Sequence, residues 1–220
     1  MRKLRTSLCC MLAVVVLNLT ACVTWSRIET PRMSGPDGCY HVTVPPCWIH
    51  AAFIDDGICI SKDGPLMNWI EVKHFRKDQG FPLTEVKLTH DQLITEVAEY
   101  FVAELKARHA GNTMNHLGTE PAEIDGRSGF KVNLEFINLK GLAFEVLAYG
   151  LADDVHFYYL LYKAPRLYYF DKDLAAFEQL VASFKIGPGD GPVTTAPCAT
   201  SFSTALSKKQ SVTLSGPPRG

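Results

Sequence analysis

The sequence predicts an α+β domain, an antiparallel sheet covered by helices on both faces. Three observations carry that expectation. From Phe130 to Phe136 apolar and polar residues alternate strictly, which is the period-two mark of a strand with one face buried. From Leu142 to Leu151, and again from Val155 to Ala164, residues of both parities are apolar, so these strands need cover above and below. Two further stretches, one before this meander and one after it, carry apolar residues at helical spacing.

The elements follow in order. Residues 1–21 read as a lipoprotein signal peptide: Arg2, Lys3 and Arg5 form a positive start, and Leu8 to Leu17 is an apolar run too short to span a bilayer. Leu19-Thr20-Ala21-Cys22 resembles the bacterial lipobox, whose cysteine thiol receives diacylglycerol before cleavage. The mature chain is then expected to start at Cys22, held to the membrane by two or three acyl chains. Val23, in place of an aspartate, implies sorting to the outer membrane of a double-membraned host, with the domain facing the periplasm. An ordinary cleaved signal peptide and an uncleaved anchor are the competing readings. Residues 22–38, with Pro31, Gly35, Pro36 and Gly38, read as a flexible tether.

The globular domain is expected over residues 39–186. Tyr40 to Val44 and Trp48 to Phe53 are short strands separated by Pro45-Pro46. Asp55-Asp56-Gly57 and Lys62-Asp63-Gly64-Pro65 turn the chain into Ile58-Cys59-Ile60 and Trp69 to Phe75. Thr89 with Gln92 reads as a capping box, and Leu88 with Leu93 as its hydrophobic staple. Ile94, Val97, Phe101 and Leu105 form the apolar face of the helix that follows, and Gly111 stops it. After the meander, Asp171 or Asp173 caps a second helix with Leu174, Phe177, Leu180, Val181 and Phe184 at helical spacing. Residues 187–220 are rich in Gly, Pro, Ser and Thr and read as a disordered tail.

Composition excludes some partners. Removing the signal takes Arg2, Lys3 and Arg5 away, so the formal charge falls from −1 to −4 and no basic stripe remains for nucleic acid. Of seven cysteines, Cys39, Cys47, Cys59 and Cys198 remain beyond Cys22. A disulfide within Cys39, Cys47 and Cys59 is weighed against buried thiols, with Cys198 left over. The seven histidines show no H-E-x-x-H and no paired spacing, so no metal is expected unless the fold assembles a site. Ser128-Gly129-Phe130-Lys131 matches S-x-x-K without its companion motifs. No nucleophile elbow and no phosphate-cradling loop occurs, and no cofactor is expected. The aspartate pairs at 55–56 and 153–154 read as turns. Tyr168, Tyr169 and Phe170, which follow Pro165, are the candidate anchors for a protein partner on an exposed edge.

Pro46-Cys47-Trp48, the stretch from Glu120 to Phe130, and Phe177 to Lys185 ending in Ala182-Ser183-Phe184-Lys185 together resemble the PsbP/Mog1-like superfamily over Cys39 to Ile186. In that family a Pro-x-Gly-Trp loop follows the first strand; here Cys47 stands at the glycine position. The resemblance implies an α-β-α sandwich. Its members include accessory proteins of the oxygen-evolving complex, a Ran-binding protein and bacterial lipoproteins. The expected function is therefore a non-catalytic, lipid-anchored accessory or binding module for a larger periplasmic or outer-membrane assembly. The alternative is a carrier or sensor of a small apolar ligand held between sheet and helix. An unrecognised hydrolase ranks third.

Overall fold

A computed structural model describes residues 25–187, so the signal peptide, Cys22 and residues 188–220 of the expected tail lie outside the described residues. The strands are β1 (Trp25–Arg27), β2 (Arg32–Ser34), β3 (Tyr40–Thr43), β4 (Ile49–Ala51), β5 (Gly57–Ser61), β6 (Trp69–Arg76), β7 (Thr113–Ile124), β8 (Arg127–Ile137), β9 (Ala143–Ala152), β10 (His156–Pro165) and β11 (Lys185–Ile186). Among the described residues there are two α-helices, α1 (Ile94–Arg108) and α2 (Tyr169–Ser183). The fold is mostly antiparallel sheet. Eight strands run in the order β1-β4-β5-β6-β10-β9-β8-β7, and a separate three-stranded sheet has the order β11-β3-β2.

The buried apolar side chains form two clusters, and β10 feeds both. Tyr158, Leu160 and Tyr162 pack with Phe177, Leu180 and Phe184 of the α2 segment and with Tyr40 and Val42 of the small sheet. Phe157, Tyr159 and Leu161 pack with Val97, Phe101 and Leu105 of α1. Alternation of successive side chains across a strand produces this division. It is the reason residues of both parities are apolar there.

The tether expected over 22–38 does not hold from Trp25 onward. Trp25 pairs with Ala51 as β1 joins the edge of the large sheet, and Met33 pairs with Val42 as β2 joins β3. Polar three-residue strands leave no periodicity to read; their backbone partners lie elsewhere in the chain.

The meander has four strands rather than three. β7 pairs with β8 along its length, with a bulge between His116 and Gly118. Its residues are almost all exposed or half-exposed, so it lacks apolar alternation, and Pro121 is tolerated because the strand lies at the sheet edge. The turn into β8 did carry a signal: Asp125 and Gly126 both have positive φ, 52° and 68°, as a two-residue Asp-Gly hairpin requires.

The helix starts also differ from expectation. The Thr89 amide does donate to the Gln92 side chain at 2.9 Å, but α1 begins at Ile94, where the Leu93 amide donates to Glu96 at 3.0 Å. In α2 neither aspartate is the cap. The helix begins at Tyr169, and Asp173 is a buried residue within it.

Candidate functional site

The small sheet and two strands of the large one bring together Cys39, His74 and His156. One ligand-type atom of each, Sγ or an imidazole nitrogen, lies within 4.8 Å of the other two. Cys39 immediately precedes β3 and is 1% exposed; the Gly187 amide donates to its carbonyl at 2.7 Å, so the β11 segment holds it in place. His74 lies mid-way along β6, opposite Tyr158 of β10. His156 opens β10 opposite Arg76, so the two imidazoles are diagonal neighbours on one sheet face, with ring centroids 5.3 Å apart.

The surroundings are aromatic and low in polarity. The Tyr40 ring stands edge-on to His74 at 5.6 Å, and Tyr158 stacks on it at 5.8 Å. Burial lowers the pKa of His74, and the neighbouring His156 ring lowers it further, against the pull of the Asp37 and Asp153 carboxylates. Burial likewise lowers that of His156. Both rings are therefore neutral near pH 7. His74 Nδ1 is buried with no hydrogen-bond partner, an uncommon state for a polar atom in a folded interior.

Asp153 organises the edge of this cluster. Its Oδ1 accepts from the amides of Val155 at 2.8 Å and His156 at 2.6 Å, and Oδ2 accepts from the Tyr158 hydroxyl at 3.0 Å. The turn read from Asp153-Asp154 is thus confirmed, and its side chain positions a histidine as well. Asp153 also lines an open cavity of about 340 Å³ with Lys77, His90, Gln92, Arg127 and Ser128. A lining so polar does not suit a small apolar ligand. Ser128 and His90 line it together.

The other residues singled out in the sequence are dispersed. Cys39, Cys47 and Cys59 are not joined to one another, which corrects the disulfide expectation. Cys59 lies within β5, where burial and then the nearby Glu71 carboxylate push its thiol up to about 12. Cys47 is exposed in the loop between β3 and β4. Tyr168, Tyr169 and Phe170 separate as well: Tyr168 is 69% exposed, Tyr169 half-buried, and Phe170 buried. Phe170 stacks on Tyr162 with centroids 5.1 Å apart, so it belongs to the core and cannot anchor a partner. Helical spacing explains this, because α2 already starts at Tyr169 and turns Phe170 toward the sheet.

Tyr168 has company that the sequence did not suggest. Pro165 pairs with Phe144, Ile137 with Ala143, and Trp69 with Lys163, so the loops at 62–68, 138–142 and 166–168 leave the same end of the sheet. Leu66, Leu139, Leu142 and Leu167 in these loops are all exposed, Leu139 and Leu167 by more than four-fifths. Tyr168 itself has φ 71°, a conformation that costs a bulky residue energy. Lys172 Nζ lies over the Tyr168 and Tyr169 rings at 5.7 and 5.5 Å.

Comparison with solved structures identifies the architecture. The cyanobacterial PsbP protein CyanoP of Synechocystis sp. PCC 6803 superposes with a TM-score of 0.53 at 14% identity, over 73% of this chain and 94% of that one. This chain has a PsbP/Mog1-like fold. The Saccharomyces cerevisiae Ran-binding protein Mog1p matches at a TM-score of 0.50 and 10% identity, over 74% of this chain and 97% of that one. LpqN of Mycobacterium tuberculosis, described as involved in cell envelope biogenesis, reaches a TM-score of 0.48 at 15% identity, over 75% of this chain and 90% of that one. No family model and no curated protein matches the sequence. The likeness is one of fold.

Proposed function

We propose that this chain is a lipid-anchored envelope protein whose α-β-α sandwich serves as a non-catalytic binding module for a larger periplasmic or outer-membrane assembly. The anchoring half of the reading rests on the lipobox ending at Cys22. Among the described residues no helix is long and apolar enough to cross a membrane. The two core clusters, one containing α1 and the other α2, support helices on both faces of the sheet.

The binding half rests on one observation, the exposed apolar end formed by Leu66, Leu139, Leu142, Leu167 and Tyr168. Large apolar side chains gathered at one end, beside a tyrosine held in a strained conformation, favour a protein partner over isolated surface exposure. Only Val23 and Thr24 separate Cys22 from β1, a reach of about 10 Å at full extension. The domain then lies close against the bilayer, and its partner is another membrane-bound or membrane-proximal protein.

Two measurements test this. Wild-type protein should label with palmitate and partition into detergent, and Cys22→Ser should do neither; soluble, unlabelled wild-type protein refutes the anchor. A photo-crosslinker at Leu167 should yield a discrete adduct in cells that Leu139→Asp abolishes, while one at Leu117 on the β7 edge should not. Equal crosslinking from both positions refutes the binding surface.

A further inference from the structure

We propose that Cys39, His74 and His156 bind one divalent cation of the zinc class, with a thiolate and two imidazoles as ligands and a fourth position left for water. The donor set suits that cation, because borderline-soft ions take nitrogen and sulfur together and accept three protein ligands plus an exchangeable one. In a tetrahedral zinc site the donor atoms stand about 3.3–3.6 Å apart, given metal–ligand bonds of roughly 2.0–2.3 Å. All three donors here already lie within 4.8 Å of one another, so a movement of about an ångström or less at each closes the site.

Two observations favour a cation over three residues packed by chance. The first is the orphaned His74 Nδ1, buried without a partner on one of the three rings; metal-ligating imidazoles commonly use one nitrogen for the ion and the other for an outer hydrogen bond. The second is charge. A dication with one thiolate and two neutral imidazoles carries one net positive charge, and Asp37 and Asp153 both act electrostatically on His74, offsetting it in a site with little other polarity. The Cys39 thiol releases its proton as the ion binds.

The ligands come from different parts of the chain. Cys39 adjoins β3 of the small sheet, while His74 and His156 belong to adjacent strands of the large one. Bound metal therefore staples the small sheet to the large one and stabilises the folded state by mass action.

The test uses the full chain in detergent, stripped with chelator and dialysed against zinc alone. One zinc should bind per chain and raise the melting temperature. Cobalt in its place should show a thiolate charge-transfer band and the intense visible bands of four-coordinate cobalt. Cys39→Ser and His156→Gln should lose both, and Cys47→Ser should keep both. Because Cys39→Ser could fail to fold, X-ray absorption of the wild-type zinc complex supplies an independent reading: one sulfur with nitrogen or oxygen neighbours is required. Absence of zinc binding, a shell without sulfur, or a charge-transfer band that survives Cys39→Ser overturns the proposal.

Discussion

The carboxylate of Asp173, 1% exposed, accepts a hydrogen bond from Asn68 Nδ2 at 2.9 Å. Its other oxygen takes Lys62 Nζ at 2.8 Å, and the Asn68 Oδ1 accepts the amides of Lys62 and Asp63. One carboxylate thereby ties α2 to the loop between β5 and β6. Asp173→Ala leaves Lys62 without its partner and the buried Asn68 Nδ2 with only the longer bond to Asp63 Oδ2 at 3.2 Å. The expected cost is about 3 kcal/mol, or roughly 6–12 °C in Tm for a domain of this size. Asp173→Asn, which retains an acceptor, should cost less; equal melting of all three proteins contradicts the clamp.

Phe130 faces Gly150 across the β8–β9 pair, and its ring fills the place a Cβ on residue 150 would take. Phe130 is fully buried, so the ring has nowhere to retreat. Gly150→Ala should destabilise by about 1–3 kcal/mol through overpacking. In a Phe130→Ala background the same change should cost much less, because the two residues share one space. Additive losses in the double-mutant cycle would show the contact to be unimportant.

Cys47 has φ 69° and an exposed side chain, which accounts physically for glycine being usual at this position of the Pro-x-Gly-Trp loop. Cys47→Gly relieves about 1–2 kcal/mol of left-handed strain and gives back part of it as unfolded-state entropy. The melting temperature should hold or rise. Cys47→Val should lower it, since a β-branched residue is worse there; a fall in the glycine variant argues against the loop conformation.

His109, at the C-terminal end of α1, packs edge-on to Phe136 with centroids 4.8 Å apart. Burial lowers its pKa; the Leu105 carbonyl opposes this, Lys163 and Arg108 reinforce it, and Glu71 opposes it weakly. The folded ring stays neutral while the unfolded chain takes up a proton as pH falls through about 6.5. Its contribution to stability is thus complete above that pH and declines below it, until the folded ring also protonates. Melting temperature should fall from pH 7.5 to 5.5 more steeply in the wild type than in His109→Gln. An identical slope would show that His109 is not the titrating group.

Much of the fold was legible because it is written locally. The alternation from Phe130 to Phe136 and the two-sided apolar runs of β9 and β10 mark strands whatever the rest of the chain does, and the spacing of Phe177, Leu180 and Val181 marks a helix. β7 was not legible as a strand, since an edge strand with both faces largely wet has no apolar pattern. The start of α1 was misread because Thr89 and Gln92 make the hydrogen bond of a cap in what is only a turn, and Glu96 makes the same bond four residues later.

The sequence by itself determined three strands of the meander, the two helices, the turn at Asp153-Asp154 and the lipobox motif, all of which depend on residues within a few positions of one another. Only the tertiary structure decided that Trp25 and Met33 lie in strands, that Asp173 is a clamp, that Phe170 is core while Tyr168 is exposed, and that Cys39 meets His74 and His156. Those outcomes depend on pairings across tens to more than a hundred residues, such as Ile186 with Tyr40. Side-chain periodicity records which face of an element is buried, and carries no address for the element that covers it.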